Sequence, residues 1–414
     1  MKLLTQSVTL SRYFALLIPL LLSSCGGGGS GGSGAQGVTP GSINPQAVSN
    51  VSNDLLATDC ATAIPAGRVT VPTTLVNMDS ACDYYVSGDI SISSDLTIEP
   101  GTTVLVAQNA QFFLTDGTLN AVGTANNRIT IKGERAESGF WQGITLASIR
   151  PSRIEYVDIM DGGNASPVLD EFRGGLVVRG TETSLVDVSV SNSFVDGVRI
   201  DRNSSITEFS NNRFYGNSLA GINLSSQFIP MLDTASDYLG ENSANGNRYI
   251  HVSSSLDVGA DDVWKNLKAA YFLDNGASVG SGEKITVMPG VEILVNRGQI
   301  WALNGGRFRF EGTTTEPISV KPASGQAGSW DGFNSTTDGE LFLTNTEIEG
   351  AVSGVNMGGR GMVNISDSLI SNSTEWGIDC HLEILSERAV LRVSGNMRYI
   401  NNALGEIDEE CVVQ

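Results

Sequence analysis

Leu96-Thr97-Ile98-Glu99-Pro100-Gly101 returns 189 residues later as Ile285-Thr286-Val287-Met288-Pro289-Gly290. The same separation, without a gap, matches Leu105-Val106 to Leu294-Val295, Leu114 to Leu303, Gly117 to Gly306 and Gly123-Thr124 to Gly312-Thr313. It continues through Ile129, Lys132, Gly139, Trp141 and Gly143, which match Ile318, Lys321, Gly328, Trp330 and Gly332. Chance does not hold one register over more than forty positions. The chain therefore carries two copies of one structural unit.

A shorter rhythm runs inside each copy. Short β-branched stretches such as Val104–Val106, Ile129–Ile131 and Gly221–Leu224 alternate with turns of Gly, Asn, Ser and Asp. Gly175, Gly197 and Gly221 each precede an apolar group, at spacings of 22 and 24 residues. A period of that length predicts a solenoid, whose repeats bury their faces only against neighbouring repeats. A β-sandwich would place turns every 8–12 residues with no longer period, and fits less well. Abundant Gly, Ser, Asn, Thr and Val, with few Leu/Ala/Glu/Lys stretches, agree with an all-β chain.

The motifs LTI-x-PGT, G-T, I-T/S-I/V-K and G-x-W-x-G resemble bacterial right-handed parallel β-helix proteins of the pectate-lyase-like superfamily, envelope lipoproteins in particular. Asn192-Ser193…Gly197 and Asn372-Ser373…Gly377 fit the same coil pattern. The resemblance covers roughly Tyr84 to the C-terminus and implies a right-handed, single-stranded parallel β-helix built from two related halves. About a dozen coils, stacked at about 4.8 Å, would give a rod on the order of 60 Å long. Pro100 and Pro289 suit corners between strands, where no ladder N–H is required. Trp141 and Trp330 are expected to pack at a coil corner.

The N-terminus states where such a rod would live. Lys2 and Arg12 precede the apolar run Tyr13–Leu22, then Leu22-Ser23-Ser24-Cys25 and a Gly/Ser-only run from Gly26 to Gly34. This order resembles a bacterial lipoprotein signal with its lipobox. The apolar run is about half the roughly 20 residues needed to span a bilayer. The expected organisation is a signal peptide over 1–24, lipidation at Cys25 and a lipid-proximal tether over 25–58. The first β-helix half with its N-terminal cap covers 59–250, and the second half with its C-terminal cap covers 251–414. Membrane attachment through the anchor and an outer-membrane location follow, since Gly26 is not the Asp associated with inner-membrane retention.

Four further cysteines, Cys60, Cys82, Cys380 and Cys411, form an even set in an exported chain, with three possible pairings. Two lie near the start of the folded region and two at its end. Pairing across the halves would require the ends to meet, so Cys60–Cys82 and Cys380–Cys411 are expected as end-staples on the exposed coil edges. Two histidines and no Cys-x-x-Cys exclude a conventional zinc site.

The formal charge is −20, with no Lys/Arg run, which argues against nucleic acid and polyanionic glycans as partners. Gly-His-Gly, Asn-Thr-Asp and Arg-Ile-Lys, the signatures of polygalacturonase-like members, are absent. No lyase, Ser-His-Asp, Walker or HExxH signature occurs. Asp261-Asp262 reads as part of a linker between the copies, His251 and His381 as surface or structural residues. Asp196, Arg199 and Asp201 read as a solvated mixed-charge face. One acidic ladder stands out: Asp158 and Asp187 sit between apolar residues at what look like equivalent places in consecutive coils. Stacked carboxylates would raise one pKa or hold a cation. No cofactor and no confident metal site is expected. The function expected is a non-catalytic envelope β-helix that binds a glycan or a protein partner or serves as a surface module. The alternative is a carbohydrate-active lyase or hydrolase.

Overall fold

A computed structural model describes residues 57–164, 173–241, 243–254, 261–280, 282–382 and 389–414. The expected signal peptide, Cys25 and nearly all of the tether lie outside them. Asn53–Gln414 is one compact unit, an all-β solenoid of about 13 turns made of stacked parallel strands.

A single coil shows how the sequence makes the turns. Ile90–Ile92, Leu96–Ile98 and Thr103–Val106 form its three sides, and their alternate residues Ile90, Ile92, Leu96, Ile98, Val104 and Val106 point inward and are buried. The next coil places Phe112, Leu114, Leu119, Ala121 and Ile131 directly upon the first five of them, and Gly133 upon Val106. Like residues thus stack on like, and each fully buried Val, Leu, Ile or Phe contributes about 1.5–3 kcal/mol. Corners are turned by residues that tolerate the left-handed region. Asn192, Asn211 and Asn372 adopt φ of 55°, 56° and 58°. Buried amides then close the exposed main chain: Asn217 Oδ1 accepts from the Ser193 N–H at 3.0 Å, and Asn245 Oδ1 from the Asn217 N–H at 3.0 Å. The glycine column of the sequence rhythm has a steric cause. A Cβ on Gly197 would lie 2.6 Å from the Gly221 carbonyl oxygen, and one on Gly221 2.6 Å from that of Tyr238.

Trp141 and Trp330 are fully buried, and their indole N–H groups donate to the carbonyls of Met160 (2.7 Å) and Glu349 (3.0 Å). Those acceptors are again 189 residues apart. The duplication therefore preserves a buried hydrogen bond as well as an apolar side chain.

One 14-stranded sheet runs the length of the solenoid, roughly 60 Å at the usual strand spacing. A seven-stranded and a six-stranded sheet flank its first part, and two further six-stranded sheets flank its second. The two copies do not use the long sheet in the same way. Thr103–Val106 lies in the seven-stranded sheet, whereas its counterpart Glu292–Val295 lies in the long sheet. Gln111–Leu114 lies in the long sheet, whereas Gln299–Ala302 lies in the last six-stranded sheet. The second copy is therefore advanced along the axis and rotated by one face.

The rotation arises at the junction. A 3-10 helix, Ser226–Met231, replaces a strand, and between the long-sheet strands Tyr249–Ser254 and Ala270–Leu273 a single described strand, Asp262–Trp264, intervenes. Asp262 is thus not in a linker, because Asp262–Trp264 opens a six-stranded sheet by pairing with Ile285, Thr286 and Val287. Tyr249–Ser254 itself pairs with a strand on each side, joining the halves within the long sheet. The gapless alignment also needs a local correction. Gln111 and Gln299 both pair with the equivalent glycines Gly143 and Gly332. Leu114 therefore corresponds to Ala302, and Leu303 belongs to the following turn. One corner is a residue shorter in the second copy and the next a residue longer, so the two changes cancel.

Both expected disulfides are present, Cys60–Cys82 with Cα atoms 4.4 Å apart and Cys380–Cys411 at 5.3 Å. The first joins positions that face each other across the first ladder of the seven-stranded sheet.

Candidate functional site

The Asp158/Asp187 pair is held by a cation that the sequence reading did not consider. Arg128 Nε and Nη2 each donate to one Asp158 carboxylate oxygen at 2.9 Å, and its Nη1 donates to Asp187 Oδ1 at 2.9 Å. Nη2 also reaches the Asp187 carbonyl at 2.7 Å. Burial lowers the Arg128 pKa, but the two carboxylates outweigh it and the net shift is upward. Nor are the acids equivalent. Asp158 lies in a strand opposite Ser189, while Asp187 is a corner residue with φ 55°, matching Tyr156 at φ 53° in the preceding coil. The guanidinium fills the place a cation would take, so the cluster is a structural clamp.

The long sheet carries a second polar system, which crosses four coils. Arg199, Asn223, His251 and Phe272 are consecutive ladder partners on its outward side. Asn223 Nδ2 donates to Asp196 Oδ2 at 2.9 Å and lies 3.2 Å from His251 Nδ1, while His251 Nε2 lies 2.9 Å from Asp274 Oδ2. The backbone N–H of Ala220 holds the other Asp196 oxygen at 3.0 Å. Asp196 is buried rather than solvated, at 5% exposure. That burial pushes its carboxyl above the usual range despite opposing contributions from Asn223, His251 and Arg199. Both imidazole nitrogens and both Asp196 oxygens are thus engaged within the cluster. Arg199 pairs with Asp201 at 3.1 Å. Tyr249 and Phe272 stack beside His251, with centroids 4.4 Å apart and planes 14° from parallel. The side chain of His381 lies outside the described residues.

Asp274 and Asn275 make the corner from the long sheet onto the last six-stranded sheet, and beyond it lies an open groove. Asn275, Ala277, Ser278, Gly298, Gln299, Trp301 and Asp331 enclose about 230 Å³. Here Gln299 stands between Gly276 and Gly332 in the outward row, while Ser278, Trp301, Asn334, Asn356 and Asp379 form the adjacent row. No motif in the sequence marks out Trp301. Gly276 and Gly332 flank Gln299 at unequal separations of 23 and 33 residues, so only the register brings them into one row.

Cations are gathered in the same way. Lys284, Arg307, Arg309 and Arg392 come from three strands of one outward face, with Arg309 4.6 Å from the Phe342 ring centroid. Arg307 and Arg309 are paired there with Glu340 and Glu311, so the face is one of mixed charge.

Among the described residues, no group of three or more His, Cys, Asp or Glu could hold a metal ion, and no helix is long and apolar enough to cross a membrane. No protein-family model matches the chain, and no curated protein matches it.

Proposed function

We propose that this chain is a lipid-anchored β-helix of the cell envelope, attached to the outer membrane through Cys25, that binds a glycan or a protein partner without transforming it. On this reading its likeness to the pectate-lyase-like superfamily extends to architecture and not to chemistry. The observation that carries binding is the groove beside Trp301, where an aromatic ring, amides and a carboxylate share an outward surface. Against catalysis stand the occupied groups described above. Arg128 ion-pairs with both Asp158 and Asp187, and Asp196 and His251 spend their polar atoms on one another's neighbours.

Two measurements test the reading. Cys25→Ser should release the protein from carbonate-washed membranes, and a variant that stays with them overturns the anchor. A panel of neutral and acidic polysaccharides and envelope extracts should show retention of a ligand with no new reducing ends and no unsaturated-uronate absorbance. Cleavage that disappears in Asp158→Asn, Asp187→Asn or His251→Ala would promote the lyase or hydrolase alternative.

A further inference from the structure

We propose that the Trp301 groove is a subsite for a neutral oligosaccharide, and that it discriminates against acidic sugars. This rests on the binding reading above and adds the place and the ligand class.

The groove exists because of where side chains are missing. Gly276, Gln299 and Gly332 occupy one outward row in consecutive coils, so a single amide stands with bare backbone on either side. Gly276 is fixed as glycine twice over, by φ 74° and by the Gln299 carbonyl oxygen, 2.0 Å from where its Cβ would be. Gly298, which lines the groove itself, is fixed in the same way, by φ 75° and by the Asn275 carbonyl oxygen 2.8 Å from where its Cβ would be, so this part of the wall cannot fill by side-chain drift.

The lining suits a hydroxylated ring. Trp301 is half-buried, and its indole N–H donates to Thr336 Oγ1 at 2.8 Å, which fixes the ring's setting at the groove wall. An immobilised indole offers apolar area to the C–H surface of a sugar at little entropic cost. Asn334, the next residue in the Trp301 row, donates its amide N–H to Gln299 Oε1 at 3.1 Å. Its own Oδ1 is buried without a hydrogen-bond partner. Asp331 adds a carboxylate to the lining, while the Asn275 Oδ1 is already taken by Arg297 Nε at 2.7 Å. The groove thus presents an aromatic wall and the Gln299 amide, with Asp331 as the one ionised side chain in its lining. Donor-rich, uncharged hydroxyls match it. A uronate would set a second carboxylate against Asp331 in a chain of formal charge −20, and like charges at close range are repelled.

The test uses the mature chain with oligomers of neutral hexoses and of N-acetylhexosamines, and with hexuronate oligomers for comparison, read by calorimetry or affinity electrophoresis. At least one neutral series should bind, with the uronates at least tenfold weaker. Trp301→Ala should weaken neutral binding at least tenfold, and Ser278→Trp, which fills the groove, should abolish it. Asp331→Asn should narrow the gap between neutral and acidic sugars, a change that loss of structure would not produce. Melting curves confirm that each variant is folded. If neutral oligomers bind equally well to Trp301→Ala, the groove assignment falls while the binding reading survives. Failure of every neutral series, or uronate binding as tight as neutral, overturns the proposal outright and leaves a protein partner as the ligand.

Discussion

Arg128 shows how an acidic solenoid manages its carboxylates one at a time. A guanidinium fork satisfies two acids from different coils and a corner carbonyl as well. Asp158 and Asp187 are only about a quarter exposed, so removing the fork leaves two poorly solvated charges facing each other. Arg128→Met should therefore lower stability by about 1–3 kcal/mol in urea titration, and Arg128→Lys should recover only part of the loss. No change on Arg128→Met would mean that both acids are adequately solvated alone. Asp196 presents the opposite case. Its pKa is raised by burial, so the fold favours the protonated form. That contribution is full below the ordinary value of 3.8 and is lost as pH rises through the folded-state value. Asp196→Asn mimics the protonated form, and Asn223 can turn its unpartnered Oδ1 toward the new amide. The variant should melt higher than the parent at pH 7, with the gap closing on acidification. A gap that widens toward pH 4 would contradict the burial argument.

At the scale of strands and corners, the sequence was informative where each coil repeats the same steric demand. Gly175, Gly197 and Gly221 mark a column closed by neighbouring carbonyls, and Asn192 and Asn372 mark left-handed corners, so the period could be counted directly. It misled where corners change length. Asp158 and Asp187 look equivalent because both sit between apolar residues, yet one is in a strand and the other at a bend. Leu114 and Leu303 look equivalent because two one-residue changes cancel. Trp301 could not be told from the buried Trp141, Trp264 and Trp330 without knowing which side of its strand faces out. The cysteines, by contrast, were readable from their positions at the ends. Each disulfide closes a loop of 22 or 31 residues, and each should contribute about 3–4 kcal/mol. Because coils touch only their neighbours, reduction should raise amide exchange in the terminal coils first. Uniform loss of protection along the chain would show that the staples act globally.

For the molecule as a whole, the weakest place should be the junction and not the ends once these are oxidised. There a 3-10 helix stands in for a strand, and a single described strand separates two visits to the long sheet. Fewer ladder bonds cross this region, so chemical unfolding should deviate from two-state behaviour, with amides of 226–264 exchanging faster than the coils on either side. A single transition with even protection would show that the long sheet alone couples the halves.

The one-face rotation between copies carries a consequence for valence. Had the duplication stacked without rotation, Phe113 and Trp301, which occupy equivalent outward positions next to Gln111 and Gln299, would share one surface along the rod. They stand instead on different sides, so no straight polymer can lie across both. On the binding reading proposed above, ligands held at these two positions would point in different directions. On that reading the molecule would be geometrically a bracket, tying separate strands together.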